Sequence, residues 1–350
     1  MTKKNIFLIV AVVVTLFSAN LAYAQPQGFD RSFTVGLNGG DFSSLEQALG
    51  SINDSSASRQ IQLVLAPGVH VLNGAVSIGP NMHLLGAGRG VTIVVGNVNG
   101  ALVTIDDEGA RSTMTDMTII NREDVNAPIS EVITLLVTDG ARLELDNIEI
   151  VVQTFGADAI ATLVENFSTL TARDSMIRAV GDGTSNSGTA LQNTAARLIV
   201  DDSRIVTSAF NFANALRSNG EINSITEIRD SVIASTGVSD SNGLLYEGFE
   251  SGLVSLHGSK VTAIATDGIA SGINFPATGS EFGLAISFTK IIGDTVGLAA
   301  SGPGAVTLRH STLINGVSSD GSPSLTCTLT DNGPPADILP RNCLLRDSEE

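Results

Sequence analysis

A short pattern recurs along the second half of this chain with a period of about 28 residues, and it restricts the fold more than any other feature. Its clearest copies are LTARDSMI (170–177), LIVDDSRI (198–205), TEIRDSVI (226–233) and VSLHGSKV (254–261). Asp174, Asp202, Asp230 and Gly258 align at steps of 28. Looser copies flank them: STMTDMTI (112–119), LELDNIEI (143–150), LAISFTKI (284–291) and VTLRHSTL (306–313). A fixed period of this size marks stacked supersecondary units, each burying its apolar side against its neighbours.

Within each copy apolar and polar residues alternate, pass a polar corner, and resume. Leu198 and Val200 precede the corner at Asp202 and Ile205 follows it. Period-2 alternation denotes half-buried strands, and Asp, Asn or Gly at the corner suits a left-handed or turn conformation. A further short strand starts before each copy, at Ala159-Ile160, Ala190-Leu191, Ala215-Leu216, Gly243-Leu244, Gly272-Ile273 and Gly297-Leu298. Three strands and three turns per repeat give one coil of a right-handed parallel β-helix. The competing propeller needs longer repeats and aromatic blade signatures that this chain lacks.

Stacked strands lie about 4.8 Å apart, so equivalent residues form columns. Ser175, Ser203, Ser231, Ser259, Thr289 and Ser311 are expected to make an inward hydroxyl ladder. Asp146, Arg173, Asp201, Arg229 and His257 alternate in sign, as an outward ladder of ion pairs would. Asp174, Asp202 and Asp230 form the next column, where like charges need neutralising by the arginines or by a cation. The open ends need covers. In DFSSLEQALGSI (41–52), Phe42, Leu45, Leu49 and Ile52 fall at helical spacing, with Ser43 and Glu46 as a capping box, so this helix closes the first coil.

The chain begins with Lys3 and Lys4, an apolar run from Ile6 to Phe17, and Ala22-Tyr23-Ala24. That is the layout of a removable signal peptide, so the mature protein is expected to be exported, periplasmic or extracellular, with no membrane insertion. Removing Lys3 and Lys4 and no acid takes the formal charge from -17 to -19. Such a surface disfavours nucleic acid. Cys327 and Cys343 are the only cysteines. In an exported chain they suggest one disulfide closing a terminal loop, contributing roughly 3 kcal/mol. The resulting organisation is a signal peptide (1–24), an N-terminal segment with the capping helix (25–58), the β-helix (59–320) and a C-terminal cap loop (321–350).

The segment VGLNGGDFSSLEQAL (35–49) resembles the entry of pectin methylesterases and other pectin-lyase-like proteins, in which a Gly-Asp-aromatic turn leads into a short capping helix. IQLVLAPGVHV (61–71) and MHLLGAGRGVTIV (82–94) extend the resemblance. It implies a right-handed β-helix whose enzymatic members act on polysaccharides. The catalytic strings of the family do not carry over: there is no Trp, and neither the Gln-Asp pair nor the Arg-Pro-Trp segment is present. Asp201-Asp202 and His257-Gly258 look like two elements of polygalacturonases, but the basic triplet is missing and the repeat sets the pairs two coils apart.

In β-helix enzymes the substrate groove usually lies on the first-strand face. Read outward, that face carries Gln192, Arg217 and Asn274, with Tyr246 and Phe275 nearby, as a candidate glycan-binding surface. Glu247 and Glu250, with Arg217, are the candidate acid/base groups, and solvated charges are the alternative reading. His70, His83, His257 and His310 lie in separate coils without metal-ligand spacing. Gly86, Gly88 and Gly90 precede a strand and read as a turn rather than a nucleotide loop. Asp182, Asp240, Asp267 and Asp320 offer oxygen ligands for Ca²⁺, or simply line turns; no other cofactor is expected. The function that follows is an exported scaffold binding polysaccharide or cell-surface glycan without a recognisable catalytic site. A polysaccharide lyase or glycoside hydrolase on the first-strand face is the alternative, and a purely structural spacer is a third. Composition does not fix the oligomeric state.

Overall fold

The computed structural model describes residues 28–328 and 344–345, apart from 37–38, 53–58, 110, 125–130, 183–186, 221–223, 249–250, 277–280, 302–304 and 320–323. The signal peptide, Glu250, Asp320 and the Cys327–Cys343 link lie outside the described residues and side chains.

The chain winds into an all-β solenoid with one short helix. Each turn contributes a strand to three faces, and the paired strands run parallel. The second face, containing the repeat strands before the corner, is a 13-stranded sheet. The third face follows the corner, and the first face precedes the repeat. These two merge into one 18-stranded sheet because strands Arg204–Gly220 and Val232–Gly248 run through the bend between them. Register shifts between Ser208 and Phe212 mark that bend. There Phe210 turns inward and is fully buried. A Cβ on Gly188 would lie 2.2 Å from its ring, so glycine makes the room.

The interior is built of columns. On the third face Val94, Ile119, Ile150, Ile177, Ile205, Ile233, Val261 and Ile291 are successive register partners, each at most 1% exposed. Leu143, Leu170 and Leu198 line the second face in the same way. β-Branched side chains with one preferred rotamer stack well on a pleated surface. Each buried one contributes about 1.5–3 kcal/mol relative to exposure.

The corner between the second and third faces has the conformation its residues favour. Asp116, Asn147, Asp174, Asp202, Asp230, Gly258, Phe288 and His310 all have φ between 43° and 60°. Directly after them comes the expected hydroxyl ladder. The Oγ of Ser175, Ser203 and Ser231 donates to the carbonyl of Arg173, Asp201 and Arg229 at 2.6–2.7 Å. Each also serves the neighbouring coil: the N–H of Ser175 donates to Ser203 Oγ (3.0 Å), that of Ser203 to Ser231 Oγ (3.0 Å) and that of Ser231 to Ser259 Oγ (3.2 Å). One hydroxyl thereby closes its own turn and ties it to the coil before. Amides that the left-handed bend takes out of the strand ladder find their acceptors here.

Two expectations need correction. The capping residue is Ser44, not Ser43: its side chain accepts from Gln47 N at 3.1 Å, and Gln47 Oε1 accepts from Ser43 N at 3.0 Å. The box is thus shifted by one, and the helix Leu45–Ser51 buries Leu45 and Ala48 over the first coils. Glu46 is freed to accept from Asn73 instead. The sign-alternating column exists in register but is not an ion-pair ladder. Arg229 pairs with Glu227 on its own strand (3.1 Å), and Glu227 also takes Arg197 (3.1 Å). Long outward side chains reach diagonal partners as easily as vertical ones.

Replacing Ser203 by Ala removes a donor and leaves the Ser175 amide without its acceptor. A loss of about 1–3 kcal/mol in unfolding free energy by urea titration is expected. A loss under about 0.5 kcal/mol would show that the ladder is incidental.

Candidate functional site

Alternation decides which side chains the first face shows. Its outward column runs Leu163, Gln192, Arg217, Leu245, Asn274 and Ala299. Gln192, Arg217 and Asn274 therefore share one column, half-buried, as the spacing led one to expect.

Tyr246 and Phe275 are a correction. Both are fully buried, and their rings stack inside the coil with centroids 5.1 Å apart and planes at 21°. They continue an inward column through Val164, Asn193 and Ser218, where the smaller polar side chains give way to rings. Burial pushes the Tyr246 phenol well above its ordinary pKa, consistent with a packing residue. Neither can serve as an exposed sugar platform.

Arg217 is engaged by Glu247: Nε and Nη2 both donate to Oε2, at 3.0 and 2.8 Å. The side chains are about a third exposed (34% and 36%), so the pair adds no more than about 1 kcal/mol. It does occupy the only cation of the outward column. The acid that joins them, Glu131, is not marked by any motif or repeat position. Partial desolvation raises the pKa of Glu131, which still reaches solvent, with further raising from Asp158 and Glu165 and an opposing pull from Arg217. Register explains the gathering, since Val132 pairs with Ala159 and sets Glu131 beside Asp158. Glu131 and Asp158 each stand one place before a strand, outside any repeat motif.

A second concave surface lies along the ridge between the second and third faces. It is an open groove of about 710 Å³ lined by Arg89, Asn147, Asp174, Asp202, Arg204 and Asp230 among others. The three aspartates are successive ridge residues. Arg89 stands over them because the Gly86–Gly90 turn folds onto the next coil: Gly88 N donates to Asp116 O at 2.8 Å. Arg89 Nη1 then reaches Asp174 O at 3.4 Å. The glycines form a turn before strand Thr92–Asn97. A row of carboxylates flanked by two guanidiniums can bind polar groups along an extended ligand, but it encloses nothing. Among the described residues no three His, Cys, Asp or Glu side chains are grouped to hold a metal. Asp240 accepts from Ile269 N at 3.1 Å, closing a turn.

Glu131 yields a pH prediction. Its folded-state pKa is raised, so the stability it contributes is present below the unfolded carboxylate value and is lost as pH rises through the folded one. Glu131→Gln should therefore raise the urea midpoint at about pH 8 and leave it unchanged near pH 3. An equal shift at both pH values would contradict the titration.

No known family model matches the sequence, and no curated protein matches it. Among solved structures, a pectin methylesterase from Erwinia chrysanthemi aligns with 60% of this chain and 80% of its own, at 14% identity and a TM-score of 0.39. Pectin methylesterase from carrot covers 85% of both chains at 13% identity and a TM-score of 0.45. The A-module of an Azotobacter vinelandii mannuronan C-5 epimerase covers 76% of this chain and 82% of its own, at 11% identity and a TM-score of 0.37. These likenesses are distant, and the β-solenoid itself is read from the parallel strand pairing of this chain.

Proposed function

We propose that this chain is an exported right-handed β-solenoid that binds extended glycans along its outer ladders without turning them over. The observation that carries this is the shape of the ridge groove. An open groove spanning successive coils, with one side chain repeated per coil, matches a linear polymer better than an enclosed small molecule. The first face supports binding rather than chemistry, because its one outward-column arginine is held by Glu247 and its expected aromatics are packed inside. In the same reading the leader directs export, and Cys327 and Cys343 are joined in the mature protein.

One observation favours the alternative, a lyase or hydrolase on the first face: the raised pKa of Glu131 suits a proton donor. The two are separated by incubating the mature chain with polysaccharides bound on a glycan array and assaying new reducing ends and unsaturated uronate. The scaffold reading expects binding with no product. Turnover abolished by Arg217→Ala or Glu131→Gln would overturn it.

A further inference from the structure

After Lys3 and Lys4 the chain has only two lysines, Lys260 and Lys290, and it has four histidines in all. Both of these lysines and two of the histidines meet on one stretch of the ridge between the second and third faces. Lys260 and Lys290 are register partners on its third-face side. His257, Ser287 and Arg309 are successive rungs on its second-face side. Between these two rows stand Phe288 and His310, at φ 50° and 48°, in the ridge position that earlier coils fill with Asp, Asn or Gly.

Phe288 is unusual there. Holding a large L-residue in the left-handed region costs about 1–2 kcal/mol, and this ring is 57% exposed, so little burial offsets that cost. It stacks on His310, with centroids 4.7 Å apart and planes at 10°, and meets His257 edge-to-face at 5.3 Å. Lys260, Lys290 and Arg309 are exposed, and no ion pair among the described residues engages them. Arg229, one rung earlier, is taken by Glu227. Asp230 is the ridge acid on that side, and its Oδ1 lies 2.1 Å from where a Gly258 Cβ would stand. A chain of formal charge -17 thus gathers three unpaired permanent cations and two imidazoles around one exposed ring.

We propose that this stretch of ridge binds a sulfated sugar unit of a linear polysaccharide. The C–H face of the pyranose packs on Phe288, and the sulfate ester sits among Lys260, Lys290 and Arg309. The proposal rests on the glycan-scaffold reading and gives it a ligand class. Charge complementarity carries it. Ammonium groups hold tetrahedral oxyanions as point charges, whereas two-pronged carboxylate recognition belongs to arginine, and here lysines outnumber the one available arginine. An anionic membrane surface asks for a broad apolar face beneath the cations, and a single ring on a one-residue ridge does not supply it.

The test is calorimetric titration of the mature chain with heparin oligosaccharide, polygalacturonate, neutral dextran and phosphatidylserine vesicles. Heparin oligosaccharide is expected to bind at least about tenfold more tightly than the other three, with affinity falling as salt rises. The exposed double substitution K260Q/K290Q should weaken it about tenfold or more. Phe288→Asn, which places a residue tolerant of positive φ at the ridge, should weaken it about fivefold. Arg111→Gln on the second face should leave it unchanged, and circular dichroism checks that each variant is folded. Equal affinity for polygalacturonate or for vesicles would overturn the sulfate assignment. Heparin binding untouched by K260Q/K290Q and Phe288→Asn would overturn the site while leaving the scaffold reading intact. If none of these sugars nor any on a glycan array binds, both readings fail together.

Discussion

The structure depends on one small device: a left-handed corner residue followed by a buried hydroxyl. The bend lets the chain leave the second face and enter the third within a single residue, and only a residue tolerant of positive φ makes it without strain. The hydroxyl then closes its own turn and accepts from the amide of the coil before, so that bend and stack are secured by the same atom. Because the device recurs at Ser175, Ser203, Ser231 and Ser259, coils sit in register and every side chain acquires a column. Isoleucines then stack inside, and outside each column becomes a row with one group per coil. The third face of the core and the ridge that carries the groove are consequences of the same hydrogen bond.

Much of this architecture is legible in the amino-acid order, because it rests on backbone conformation and alternation, both local. Asp202 and Asp230 announce their corner by being short, polar residues that tolerate the left-handed region. Ser203 announces its ladder by recurring one step later. Gln192, Arg217 and Asn274 fall into one column because strand alternation and the repeat together fix their side and height.

What is not legible is where locality ends. The 17-residue strand Val232–Gly248 carries Tyr246 inward, and the bend it runs through obscures the count from the nearest motif. Its burial follows from the space left by Asn193 and Ser218 in the coils before, which no single segment reveals. Glu227 takes two arginines because rotamer reach, not column position, selects partners on a solvated face. Glu131 acquires its environment from Asp158, Glu165 and Arg217 in two other coils. Phe288 and His310 sit in two of the looser copies of the repeat, where unequal spacing hides the fact that they share a ridge with Asp230.

This division shapes the functional reading. The regular part of the chain supplies a rigid, periodic surface, and its chemistry lies where the period loosens: the Gly-rich turn that brings Arg89 over the aspartates, and the ridge stretch where acids give way to Phe288 and cations. Both depend on the coils being in register, and a distance measurement tests that directly. Arg111 and Leu253 are exposed and lie in one second-face column, joined through Arg142, Thr169, Arg197 and Ile225. Spin labels at these two positions, 142 residues apart in the chain, should give a narrow electron-resonance distance distribution centred near about 24 Å, five strand spacings. A centre beyond about 35 Å, or a broad distribution, would contradict the stacked register.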